Sequence, residues 1–182
     1  MKIITKIPLI LLVCCFVAAA NGASFEVFLK IEGIEGDSTA SNHENEINVL
    51  TFNIGVLNSG TFAGGGSGAG KPKFTDLTVF KFIDKASPQL FLASALGNFI
   101  PSATLVVRKS GPNPFPIYRL VLDNVLITSV NNSGTTDQNG NLVEQITLNY
   151  SRISWTFFPQ NADGSRGAPI SRSFDLSRNR AE

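Results

Sequence analysis

Cysteine is absent from residue 16 onward, because the only two in the chain are Cys14 and Cys15, within its first apolar stretch. No disulfide framework can be drawn from the remainder. Histidine occurs once, as His43, flanked by Asn42 and Glu44 in a polar run. A zinc site or a His-dependent triad would therefore lean almost wholly on carboxylates, and His43 itself reads as a solvated loop residue. An excess of either charge is missing too: 15 Lys and Arg face 14 Asp and Glu. That balance argues against nucleic acid or an anionic membrane as the main partner. Beyond the first 22 residues no run approaches the roughly 20 apolar residues of a spanning helix.

The beginning of the chain has the features of a secretory signal peptide. Lys2 and Lys6 form a basic start, "IPLILLVCCFVAA" is an apolar core too short to span, and Ala20 and Gly22 suit cleavage before Ala23. Val13 stands where a lipobox needs a small residue, so no lipid anchor is expected. Residues 1–22 are thus expected to be removed, leaving 23–182 as one domain in the periplasm or outside the cell. The mature domain would have no stable membrane insertion.

Strand patterns dominate the rest of the chain. "SFEVFLKI" (24–31) alternates Phe25, Val27, Leu29 and Ile31 against polar neighbours, the period of a half-buried strand. Strands are also expected over 46–56, 74–82, 103–109, 117–130 and 145–158. In "IYRLVLDNVLITSV" (117–130) the apolar phase changes at Asp123-Asn124, and 145–158 changes near Ser151; both suggest a bulge that re-aims the strand. One segment is helical in pattern, "SPQLFLASALGN" (87–98). Ser87 is its expected N-cap, Pro88 its first helical residue and Gly97-Asn98 its stop. These elements specify an all-β barrel or sandwich with a helical plug.

Several stretches imitate sites and then fail a requirement. In "GGGSGAGKP" (64–72) the segment Gly65 to Lys71 follows the phosphate-loop spacing, but Pro72 replaces the magnesium-binding hydroxyl. The next segment, "KFTDLTVFKF", has strand character, so no helix N-terminus is available for a phosphate. The stretch is a glycine-rich tether. "DQNGN" (137–141) opens like a calcium loop, yet position six is Leu142 and position twelve is Leu148; a hairpin turn is expected. Glu32, Glu35, Asp37, Glu44 and Glu46 read as charges carried toward solvent or a neighbouring subunit, not as a catalytic pair. Trp155 and the 14 phenylalanines read mainly as core. No catalytic, cofactor-binding or metal residue is assigned, and neither an enzyme nor a cofactor is expected.

Three segments carry a family resemblance: "FLKIEGIEGDS" (28–38), "DKASPQLFLASALGNFIPSATLVVRKSG" (84–111) and "ISWTFFPQNADGSRGAP" (153–169). With "LVLDNVLITSV" (120–130) and the glycine-rich loop before "KPKFTDLTVFKFIDKASP", they resemble, in order, the haemolysin-coregulated protein (Hcp) family, the tube proteins of type VI secretion. The resemblance runs from Phe25 to Leu176. It implies a compact two-sheet β-barrel with one helix, about 87–97, packed beside it. It further implies six-membered rings that stack into a tube, are driven by a contractile sheath, and carry effector proteins. The loop Asn58 to Lys73 would reach a neighbouring ring, through Gly64, Gly65, Gly66, Gly68, Gly70 and Lys71. A second set of ring contacts is expected from Glu32, Glu35 and Asp37 against Arg108, Lys109 or Arg119.

Two features depart from the family: the signal peptide, since these tube proteins assemble in the cytoplasm, and the proline-rich connection "SGPNPFPIYR" (110–119). Family fold and self-assembly therefore transfer better than family role. Two functions are expected to compete: an exported assembly protein whose partners are itself and secreted or other type VI proteins, or a monomeric exported barrel that binds a protein or glycan.

Overall fold

The computed structural model describes residues 24–59, 70–111, 113–137 and 139–182. The proposed leader and Gly64, Gly65, Gly66 and Gly68 lie outside them.

Leu29 and Ile31 on β1 (Phe25–Ile31), Ile47 on β2 (Ile47–Asn53), and Leu77 and Val79 on β5 (Leu77–Phe82) project to one side and are buried. The same alternation gives Ala103 and Leu105 on β6 (Phe99–Lys109), Leu120 and Leu122 on β7 (Phe115–Thr136), and Ile146 and Leu148 on β8 (Leu142–Asn149). Each such side chain contributes about 1.5–3 kcal/mol when fully buried. With one face apolar on every strand, the sheet curls until that face is enclosed. The order is β7-β6-β1-β2-β5-β8, and β8 pairs again with β7, so six strands close into a barrel. Side chains fill its interior, as in other small barrels.

Three strands extend the sheet beyond the barrel. β9 (Arg152–Phe157) pairs with β7 from Tyr118↔Phe157 to Asp123↔Arg152, and β10 (Ile170–Asp175) and β11 (Arg180–Ala181) continue outward. A separate two-stranded ribbon joins β3 (Val56–Leu57) to β4 (Lys73–Phe74). The expected strand over 145–158 is thus two strands, separated at Tyr150-Ser151. The expected phase change at Asp123-Asn124 is present: Leu122 and Val125 are both buried, and Asn124 has a left-handed φ of 51°. No register slips there against β6, because β6 changes phase with it, from Ala103 to Ile100 across Pro101. At this corner β7 leaves β9 and takes β8 as its neighbour.

The helix α1 (Ser87–Leu96) matches the expected position and ends at Gly97, whose φ of 65° is left-handed. Its start differs from expectation. Ala86 is the N-cap and makes no side-chain cap, while Ser87 is the first helical residue and turns its hydroxyl into the protein. The "DQNGN" turn is a hairpin between β7 and β8, with Asp137 accepting the backbone N–H groups of Asn139 and Asn141 at 2.9 and 2.8 Å.

Candidate assembly surface

The β1–β2 connection carries the acidic residues Glu32, Glu35, Asp37, Glu44 and Glu46, and backbone bonds fold it back on itself. Gly36 N–H donates to Asn45, Ser38 N–H to Glu46 and Asn45 N–H to Ser38, at 2.8–2.9 Å. The close approach at Gly36 leaves no space for a side chain, since a Cβ there would lie 2.5 Å from the Glu46 carbonyl oxygen. This folded loop lies over the outward face of β1. It covers Phe28, which strand alternation places outside the barrel but which is only 2% exposed.

Phe28 is held between two side chains. The His43 ring stacks on it with centroids 4.3 Å apart and planes 4° from parallel, and the Arg108 guanidinium lies 4.7 Å from its centroid. Arg108 also donates to Glu26 and to the Ser41 carbonyl, each at 2.8 Å. His43 is therefore not a solvated loop residue: it is largely covered and bonds Glu46 through Nδ1 at 2.7 Å. Sequence alone hides this, because the stacking partner lies on another element.

The remaining assembly residues fall in different places. Glu32, Glu35 and Asp37 are exposed, as expected for surface charges. Glu32 accepts the Ser102 hydroxyl at 3.2 Å, while Lys85 approaches Glu35 through Nζ at 3.5 Å and Asp37 through its backbone N–H at 3.4 Å. Exposed pairs of this kind contribute about 0–1 kcal/mol, so these carboxylates can exchange partners at little cost. Glu32 and Glu35, with Lys30, Glu44 and Gln89, line an open groove of about 600 Å³. Arg108, in contrast, is 7% exposed and bonded within the chain to Glu26 and Ser41. Lys109 is half-buried, and exposed Arg119 lies 5.6 Å from the Phe158 ring centroid. The structure thus does not bring Arg108 to the acidic trio.

Gly70 and exposed Lys71 stand at the returning end of the glycine-rich segment. A Cβ on Gly70 would lie 2.5 Å from the Ser59 carbonyl oxygen, so glycine permits the two ends of the segment to approach. Below them, Thr75 N–H donates to the Gly55 carbonyl at 2.9 Å, and the Phe74 and Phe174 rings meet at 5.0 Å. The ribbon therefore presents the segment from a braced base.

Apolar side chains also reach the surface. Phe91, Leu92 and Leu96 on α1, together with Phe99 at 73% exposure, are exposed, while α1 buries only Ser87 and Leu90. Phe25, Phe157 and Ile170 are exposed elsewhere. Not all phenylalanines are core, and an apolar patch that monomers rarely leave open is a common mark of a contact surface. Trp155 packs partly against the core and, with Ile54, Phe74 and Tyr118, lines a shallow groove of about 170 Å³.

One further constellation has no counterpart among the sequence expectations. Lys81 and Glu144, fully buried partners on β5 and β8, form an ion pair inside the end of the barrel where α1 begins. The signal was available, since both fall on the inward phase of their strands, with Leu77 and Val79 on one and Ile146 and Leu148 on the other.

Known proteins match this chain across the same region. A family model described as the type VI secretion system effector Hcp matches residues 28–157. Protein hcp1 of Pseudomonas aeruginosa is 36% identical over 157 residues, covering 85% of this chain and 96% of that protein. The crystal structure of Hcp1 from Salmonella typhimurium is 31% identical, covers 88% of this chain and 100% of its own, and superposes with a TM-score of 0.72. A solved type six secretion system protein, 28% identical, covers 87% and 100% respectively with a TM-score of 0.82.

Proposed function

The chain belongs to the Hcp family of type VI secretion proteins, and from that premise we propose that it is an exported structural protein that self-assembles into hexameric rings or stacked tubes. The observation carrying this reading is the extent of the match: a relative aligned over 96% of its length leaves almost none of the shared architecture outside the comparison. Exposed Phe91, Leu92, Leu96 and Phe99, and an exposed acidic trio held only by weak pairs, support a surface made for contact. Rings of like subunits need a heterologous interface whose rotation closes. Glu32, Glu35 and Asp37 are proposed on one side of it, with Lys109 or Arg119 better placed to answer them than Arg108. The segment from Asn58 to Lys73 is proposed to reach the next ring. Secreted effector proteins or other type VI components are its proposed further partners, and no enzymatic role is assigned.

Residues 1–22 are proposed as a cleaved signal peptide, which places assembly outside the cytoplasm. The experiment is light scattering with negative-stain electron microscopy on residues 23–182. Rings or tubes are expected; a monomer at high concentration would overturn the assembly reading. It would instead favour an exported binding module, for which the groove of Trp155, Tyr118, Phe74 and Ile54 is the place to look for a protein or glycan.

A further inference from the structure

The Lys81 ammonium gathers groups from separate elements. Its three N–H groups are shared among four acceptors: Glu144 on β8, Asp84 Oδ1 at 2.7 Å, the Phe82 carbonyl at 2.8 Å and Ser87 Oγ at 3.1 Å. The Ser87 hydroxyl in turn donates to Glu144 at 2.6 Å and accepts the Asp84 N–H at 3.0 Å. Asp84 Oδ1 also takes the Ala86 N–H at 3.0 Å. One cluster thus ties two barrel strands, the β5–α1 connection and the first residue of the helix.

α1 has few other attachments. Ser87 and Leu90 are its only buried residues; no side chain caps its start, and no charged residue stands in its first or last turn to answer its dipole. We infer that the Lys81–Glu144–Ser87 cluster is a positioning device, which fixes where α1 meets the barrel and is not retained for net stability. Withdrawing two charges from water costs about as much as their attraction returns, so well-packed apolar residues in their place are often neutral or stabilising. Glu144 Oε2 is buried with no hydrogen-bond partner among the described residues, which adds to that cost. What an apolar pair lacks is direction. An aliphatic contact would tolerate rotation and sliding of the first turn, whereas a hydroxyl bonded to both the lysine and the glutamate holds one placement.

The consequence for assembly rests on the proposed function, because α1 carries the exposed apolar face. Helix placement itself can be read in the monomer, so the two fail separately. Hydrogen exchange would be compared for the parent, the double variant K81M/E144L and S87A. In the double variant the amides of Leu90–Leu96 are expected to exchange about tenfold faster while the barrel strands keep their protection, with a melting temperature equal to or above the parent's. Unchanged α1 protection in the folded double variant would overturn the inference. If the double variant fails to fold, S87A decides: it leaves the ion pair in place, and selective loosening of α1 supports positioning while unchanged protection refutes it. Loosened helices with rings intact would retain the positioning role and remove α1 from the assembly surface.

Discussion

Truncating Lys81 alone, as Lys81→Met, leaves Glu144 buried beside Asp84 with no cation. The expected loss is about 3–5 kcal/mol, read as a lower denaturation midpoint at unchanged slope. Gly36→Ala is expected to cost about 1–3 kcal/mol by overpacking, since the new Cβ would press on the backbone of Glu46 and Ile47; a parent-like melting temperature would refute that packing. Three aspartates fold turns and have depressed carboxyl pKa values. The Asn141 backbone N–H does this foremost for Asp137, the Ser165 hydroxyl for Asp163, and the Ser177 hydroxyl followed by the Arg178 N–H for Asp175. A depressed folded-state value makes each contribution complete above the unfolded-chain value, near pH 4, and lost as pH falls through the folded-state value. Melting measured from neutral to strongly acid conditions should therefore decline in this respect only below about pH 4. Asp175→Asn should melt lower at neutral pH and show a shallower acid decline.

Among the elements, α1 separates core from surface cleanly. Leu90→Ala is expected to cost about 2–5 kcal/mol, whereas Phe91→Ser and Leu96→Ser should each shift stability by no more than about 0.5 kcal/mol. Chemical denaturation of the three variants checks both expectations. The helix and most barrel strands were legible because their periods differ and Pro88 and Gly97 mark the helix ends. β10 and β11 were not: "ISRSFD" and "RA" lie outside the barrel and bury too little to impose an apolar alternation. The candidate surface was legible in the same uneven way. Glu32, Glu35 and Asp37 lie where charges in a loop should lie. His43 was misjudged because its cover depends on Phe28, whose burial results from a loop closing over it. The burial of Arg108 beside the same ring was hidden for the same reason. Ser87 fits a helix cap by sequence, but a buried lysine six residues earlier draws its hydroxyl inward.

For the whole molecule, the prediction concerns the glycine-rich segment. Shortening residues 60–69 is expected to leave the barrel's melting temperature within a few degrees, because ribbon and barrel are bonded below the neck formed by Ser59 and Gly70. If that segment reaches a neighbouring ring, stacked tubes should give way to single rings under the microscope. Tubes of undiminished length would remove the segment from the contact.

The barrel closes along β8, the last of its six strands in chain order and the one that pairs with both β5 and β7. Until Leu142–Asn149 has been synthesised, or has emerged from an export channel, the preceding five strands form at most an open sheet with two bare margins. Closure is therefore a late, length-gated event, and long-range pairing of this kind is slow. A chain whose Leu142–Asn149 segment is still held back remains threadable and in need of a chaperone; once that segment is free the barrel can seal itself.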